Sequence, residues 1–265
     1  MIPFPEIDPV IFSLGPLKVR WYGLMYVIGF SASYFLVKYQ IQKFGYKKLA
    51  EHFDNINITL IISLIIGGRL GYVLFYNLPY YIEHPLEIPA TWSGGMSFHG
   101  ATLALIIGGA LFAWIKKIDF WKGADIYTVT IPVGLGFGRI GNFINGELFG
   151  RTTEVPWGMV FPGGGSAPRH PSQLYEALLE GLVLFLILWS LKHKPWESDS
   201  SWPHGSMLAL FLIGYGMMRF MVEFFREPDP QIGLISGVLT MGQILCLAMV
   251  AGGAAIMLYR KRQIR

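Results

Sequence analysis

The sequence predicts an all-α integral membrane protein: seven transmembrane helices, an N-terminal arm and a small cap on the outer side. Two observations carry this. Of 265 residues only 14% are charged and 53% are hydrophobic, whereas a soluble domain has about 25% charged residues. So few charges would leave a soluble surface uncovered, and the mean hydropathy is accordingly +0.46. The second observation is that Lys and Arg fall on alternate connections between the apolar stretches. The composition excludes disorder, collagen and a disulfide scaffold. A single cysteine, Cys246, excludes an internal disulfide and a cysteine-based metal cluster. Lying in an apolar run, Cys246 reads as a small buried hydrophobe.

The first 16 residues hold Pro3, Pro5, Glu6, Asp8, Pro9 and Pro16. They lack a basic stretch followed by an apolar core and a small-residue cleavage site, so no signal peptide is expected; an extended, interfacial arm is. A bilayer of about 30 Å needs about 20 residues of helix. Six stretches meet this over about 21–37, 56–76, 96–115, 126–144, 172–191 and 205–223, and a seventh lies within the uncharged run 231–259. Alternate connections carry Lys38, Lys43, Lys47 and Lys48; Lys116, Lys117 and Lys122; Lys192 and Lys194; and the tail Arg260, Lys261, Arg262 and Arg265, or 13 of the 21 basic residues. The positive-inside rule then puts the C-terminus in the cytoplasm and the N-terminus outside, which an odd number of spans requires. The net charge of +4 is thus a topology signal, and nucleic acid is discarded as a partner. With no internal repeat and no low-complexity linker, a single membrane domain over 1–265 is expected. The connection 145–171, with Pro156, Pro162, Pro168 and Gly163 to Gly165, is expected to form the cap.

Charged groups inside a span cost at least about 2.5–3.5 kcal/mol at a helix centre, so they are functional candidates. His99 opens the third span; Arg139 and Asn142 lie in the outer part of the fourth; Glu176 opens the fifth; Arg219 and Glu223 end the sixth; Tyr22 begins the first. All share the outer leaflet. Each also has a plainer reading. Arg219 and Glu223, at i and i+4, neutralise each other; Arg69 pairs with a carboxylate such as Asp125 or Glu180; Trp21 and Tyr22 are aromatic-belt anchors; His99 is a core histidine; Glu176 complements a helix dipole after Pro171. The densest segment runs from Gly134 to Gly150. Gly134 and Gly138, four apart, suit close helix packing. Arg139, Asn142 and Asn145 share one helical face, and Glu147 follows them. A guanidinium fork with amides suits a phosphate. It is no Walker A loop, since no GK[ST] follows. No set of residues at metal-ligand spacing is visible, so no metal or cofactor is expected.

The run Gly138–Arg139–Ile140–Gly141–Asn142–Phe143–Ile144–Asn145–Gly146–Glu147–Leu148–Phe149–Gly150 resembles the signature G-R-x-G-N-F-x-N-x-E-x-x-G of the bacterial prolipoprotein diacylglyceryl transferases, without mismatch. Further matching blocks start at Trp21, Gly67, Gly94, Arg169 and Arg219, in family order over nearly the whole chain. The loop between Gly150 and Arg169 is short beside some members. The resemblance implies transfer of a diacylglyceryl group from phosphatidylglycerol to the lipobox cysteine thiol of a prolipoprotein signal peptide, releasing glycerol 1-phosphate, in the bacterial inner membrane with a periplasmic cap. The nucleophile belongs to the substrate, so no catalytic Ser or Cys is needed. His99 is then the candidate base for the thiol, and Arg139, followed by Arg219, the cation for the leaving phosphate. Glu147 and Glu223 are expected to orient those arginines. Tyr22, Asn142 and Tyr215 are expected to hold the phosphate or glycerol head group, and Gly150 to permit close approach. Three rival readings are a transporter, a non-catalytic lipid-binding protein and another phospholipid-processing enzyme. The absence of a repeat and the single-leaflet polar set weigh against the transporter.

Overall fold

The computed structural model describes residues 2–5, 7–15, 17–91, 94–227, 234–235 and 239–263, with the side chains of Leu17, Phe98, His99, Leu234 and Ile235 outside the description. In chain order the elements are β1 (Val10–Leu14), β2 (Leu17–Arg20), α1 (Trp21–Phe44), α2 (Lys47–Glu51), α3 (Phe53–Tyr76), α4 (Leu78–Glu83), α5 (Phe98–Ile115), α6 (Phe120–Thr128), α7 (Ile131–Ile144), α8 (Ser172–Glu176), a π-helical stretch (Ala177–Val183), α9 (Leu184–Leu191), α10 (Ser206–Val222), β3 (Leu234–Ile235), β4 (Leu239–Thr240) and α11 (Met241–Gln263). The protein is mostly helical. Among the described residues three helices are long and apolar enough to cross a bilayer: Phe53–Tyr76, Ser172–Trp196 and Met241–Gln263; Gly100–Ile115 and Ser206–Val222 are shorter apolar helices.

Two expectations of local structure are corrected. The arm is not simply extended: β1 and β2 form an antiparallel hairpin with Leu14 opposite Leu17, so the fold is not purely α. It turns at Gly15, whose φ of 59° suits glycine. The fourth apolar stretch is not one helix: α6 ends at Thr128 and α7 starts at Ile131 with Pro132 in its first turn. Proline has no N–H to bond the preceding turn, so the helix restarts there.

The chain forms two compact units, residues 41–123 and residues 1–40 with 124–265. In the first, α3 and α5 meet through small residues. A Cβ on Gly71 would lie 2.7 Å from Gly100 Cα, and one on Gly67 would lie 2.6 Å from the Gly100 carbonyl oxygen. Only glycine permits that backbone approach. Ser97 caps α5, its hydroxyl accepting from the Gly100 N–H at 3.2 Å, while its own N–H donates to the Gly68 carbonyl at 2.7 Å. Arg69 is buried here. Among the described residues no carboxylate pairs with it; its guanidinium donates to the carbonyls of Glu87 (2.8 Å), Ile88 (2.7 Å), Gly94 (2.5 Å) and Gly95 (3.2 Å). It ties the 84–95 connection to α3.

In the other unit a core of Val129, Leu184, Leu188, Met207 and Phe211 packs α9 against α10. Asp125, the other carboxylate expected for Arg69, accepts instead from the Gly205 and Met207 N–H groups at 2.8 and 2.9 Å. It satisfies two of the four donors that every helix start leaves unpaired. The helix Ser172–Trp196 meets α7 at Gly181, where a Cβ would lie 2.6 Å from Gly136 Cα. The glycine of that contact is Gly136, while Gly134 serves close packing against α1, where a Cβ on Gly29 would lie 3.2 Å from Gly134 Cα. On the other contact, α10 to α11, a Cβ on Gly216 would lie 2.8 Å from the carbonyl oxygen of the buried Cys246. The 145–171 connection is folded. Thr152 and Met159 both bridge to Arg169, and Ile2 bridges to Met159. Phe161, 1% exposed, collects the rings of Phe4, Phe143 and Phe149 at centroid distances of 5.0, 6.2 and 5.3 Å.

Candidate functional site

Glu176 ends α8, and the helix widens to a π turn directly after it, a distortion often found where a helix carries function. Its carboxylate is fully buried and gathers three guanidinium groups. Arg139 of α7 brings Nε to 2.6 Å from Oε2, Arg219 of α10 brings Nη1 to 2.5 Å from Oε1, and Arg226, just beyond α10, brings Nη1 to 3.1 Å from Oε1. The contact between Gly136 and Gly181 sets the distance: one turn on from Gly136 stands Arg139, and one turn back from Gly181 stands Glu176. Glu180, also fully buried, lies 3.7 Å from Arg219 Nη1. Glu223 closes the group with Oε2 at 2.9 Å from Arg219 Nη2. Three arginines thus face three carboxylates. In an apolar surrounding each ion needs such compensation, since the desolvation of one charge alone costs several kcal/mol.

The set is not fully saturated. Neither oxygen of Glu180 has a hydrogen-bond partner among the described residues, and the Arg139–Glu176 approach is a close ion pair without hydrogen-bond alignment. Arg139 approaches Glu176 through Nε, at 2.6 Å from Oε2. Its side chain keeps 19% of its surface exposed, and a guanidinium fork is a shape that matches two phosphate oxygens.

At the C-terminal end of α7 lies a second group. Asn142 and Asn145 both donate to Glu147 Oε1, at 2.9 and 3.1 Å. The expectation that Glu147 orients an arginine is therefore corrected: its carboxylate is held by two amides. The Tyr22 hydroxyl is 3.0 Å from that of Tyr26 and also engages the Asn142 side chain. Gly141 lets its ring approach α7, since a Cβ there would sit 2.9 Å from Tyr22 Cδ2. The chain leaves α7 through Gly146 (φ 66°) and Leu148 (φ 58°). A left-handed leucine is strained, and two groups of α8 take up the carbonyls it turns out: Gln173 Nε2 donates to Glu147 O at 2.6 Å and Ser172 Oγ to Leu148 O at 3.1 Å. Gly150 then fits between two strands of chain, its N–H donating to His170 O at 2.9 Å, where a Cβ would meet His170 Cβ at 2.9 Å and the Phe225 carbonyl. Burial holds His170 below the ordinary histidine range.

Of the residues singled out from sequence, Arg139, Arg219 and Glu223 are brought together, with Tyr215 one turn before Arg219 and within electrostatic reach of Glu180. Tyr22, Asn142 and Glu147 form the neighbouring group, and Gly150 marks a close approach. His99 opens α5 in the other unit, and its side chain lies outside the described residues. Sequence reasoning missed Glu176 as the hub, Arg226 as its third cation and Glu180 beside them. The signal was present: Glu176 and Glu180 are i and i+4 in an apolar span, and buried charges need partners.

Among the described residues no group of three or more His, Cys, Asp or Glu is placed to hold a metal ion. What the fold and the site define is a helical membrane protein with a buried arginine–carboxylate cluster. Over residues 9–259 the chain matches the prolipoprotein diacylglyceryl transferase family, and it belongs to that family. It is 62% identical to a protein of Desulfotalea psychrophila over 98% of this chain and 95% of that one. To a protein of Geobacter sulfurreducens it is 52% identical over 98% of each chain. Both relatives are named phosphatidylglycerol–prolipoprotein diacylglyceryl transferase.

Proposed function

We propose that this protein transfers the diacylglyceryl group of phosphatidylglycerol to the cysteine thiol of a prolipoprotein lipobox, releasing glycerol 1-phosphate. The observation that carries the reading is the guanidinium of Arg139, held at 2.6 Å by the buried Glu176 that Arg219 also meets. The thiol proton goes to His99. The thiolate sulfur then bonds to the diacylglyceryl carbon that carries the phosphate, and that carbon's bond to oxygen breaks, its electron pair leaving on the phosphate of glycerol 1-phosphate. Charge grows on the leaving group, so Arg139 and then Arg219 stabilise it more in the transition state than in the ground state. Glu223 orients Arg219. Tyr22, Asn142 and Tyr215 hold the head group, Glu147 orients Asn142, and Gly150 allows the chain to close around it. The chemistry is tested by incubating the purified protein with phosphatidylglycerol and a lipobox peptide in Cys and Ser forms. A mass gain of one diacylglyceryl unit on the Cys peptide alone is expected; modification of the Ser peptide, or of neither, would overturn the reading.

Seven spans belong to the same proposal. Each apolar stretch of the sequence contains a helix, and the alternating Lys and Arg put the N-terminus and the 145–171 cap in the periplasm and the C-terminus in the cytoplasm of the inner membrane. Reporter fusions after Lys47 and Lys194 should report cytoplasm, and fusions at Glu83 and Gly164 periplasm. A cytoplasmic signal at Gly164 would reverse the orientation and remove the shared outer face of the site.

A further inference from the structure

Glu223 touches more than Arg219. Its Oε1 accepts from the Thr240 hydroxyl at 3.0 Å, while its Oε2 faces Arg219. Thr240 and Gln243 cap α11 reciprocally: the Thr240 N–H donates to Gln243 Oε1 at 3.0 Å, and the Gln243 N–H donates to Thr240 Oγ1 at 3.1 Å. The Thr240 hydroxyl is therefore committed on both sides, accepting from α11 and donating to Glu223. Thr240, Gln243 and Glu223 are all buried. Between them stands Gly242, where a Cβ would lie 2.7 Å from Glu223 Oε1 and 2.9 Å from its Cδ. So the carboxylate rests against the start of a 23-residue helix, whose end carries about half a positive charge.

We infer that the first turn of α11 is a receptor for the Glu223 carboxylate, and that Thr240, Gly242 and Gln243 are positioning residues that set Arg219 through it. The inference deepens the transfer reading and rests on it. Two physical effects follow. Holding Oε1 fixes the rotation of the carboxylate, so that only Oε2 meets Arg219 and the guanidinium keeps its other edge on Glu176. The hydroxyl and the helix end also share the negative charge of Glu223, which leaves Arg219 more of its pull on the leaving phosphate as charge grows there. Released from α11, Glu223 would turn both oxygens to Arg219 and draw it away from Glu176.

The test compares the parent with Thr240→Val, Thr240→Ser, Gly242→Ala, Glu223→Gln and the Thr240→Val/Glu223→Gln pair, measuring kcat, KM for phosphatidylglycerol and the unfolding midpoint in detergent. Thr240→Val keeps the shape and removes the hydroxyl. It should lower kcat roughly ten-fold, the scale of one hydrogen bond to a charged group, and leave KM nearly unchanged. Thr240→Ser should restore most of the loss. Gly242→Ala should lower kcat as well, because its methyl displaces Glu223, and should lower the midpoint by less than Glu223→Gln, since alanine favours a helix. In the Glu223→Gln background Thr240→Val should add little, since residues acting through one contact are not additive. An equal loss in both backgrounds would reduce Thr240 to a helix cap, and parent-like turnover of both Thr240→Val and Gly242→Ala would overturn the inference. The parent's own turnover decides the transfer reading separately. Should the parent prove inactive, the unfolding midpoints decide this inference: additive effects of Thr240→Val and Glu223→Gln would refute it.

Discussion

Glu176→Ala is expected to destabilise the protein by about 3–5 kcal/mol, because it leaves buried charge uncompensated. Three guanidinium groups now converge on that carboxylate within 3.1 Å. Without it Arg219 keeps Glu223 at 2.9 Å, but Arg139 and Arg226 lose the carboxylate they share and repel each other. Glu176→Gln keeps the shape and one acceptor oxygen, so its stability loss should be the smaller. Activity should fall in both by about 10²–10³-fold, the effect of losing a fixed donor to developing charge. The loss should sit in kcat rather than in KM, since the freed arginines still attract a phosphodiester but no longer meet it in the reactive geometry. Thermal unfolding in detergent and turnover measured well below both midpoints separate the two effects. A Glu176→Ala protein with parental midpoint and parental kcat would remove Glu176 as the organiser of the cluster.

His99→Gln should slow transfer by about 10²–10⁴-fold, the usual worth of a general base. The glutamine amide can keep one hydrogen bond but takes no proton at neutral pH. A free thiol ionises near pH 8.5, so the defect should shrink as pH rises towards that value and the substrate ionises unaided. A histidine that only supports the fold would give a loss flat with pH, together with a lower unfolding midpoint. The measurement is the pH–rate profile of His99→Gln against the parent, with lipobox peptide and phosphatidylglycerol in mixed micelles. A parallel profile would remove His99 as the base and pass the thiol proton to water or to a carboxylate such as Glu147.

The helices were legible in the sequence because apolar length and the placement of Lys and Arg are properties of the chain in one dimension. So was the face carrying Arg139, Asn142 and Asn145, since a helix places every third or fourth residue on one side. The Arg219–Glu223 pair followed from the same spacing. Partners across elements were not legible. Arg69 was expected on a carboxylate and lies on four backbone carbonyls; Glu147 was expected on an arginine and lies on two amides. Either choice satisfies the donors and acceptors equally well, so composition cannot rank them.

By itself, then, the sequence determined which stretches are helical and apolar, which family the chain resembles and which ionisable groups stand where a bilayer disfavours them. Only the tertiary structure decided that Glu176 is the residue at which Arg139, Arg219 and Arg226 meet, and that Glu223 is shared between Arg219 and Thr240. The reason lies in the helix contacts. How far α7 stands from the Ser172–Trp196 helix, and how each is rotated, is set where Gly136 meets Gly181, and ion pairs a few ångströms long form only after that distance and rotation are fixed.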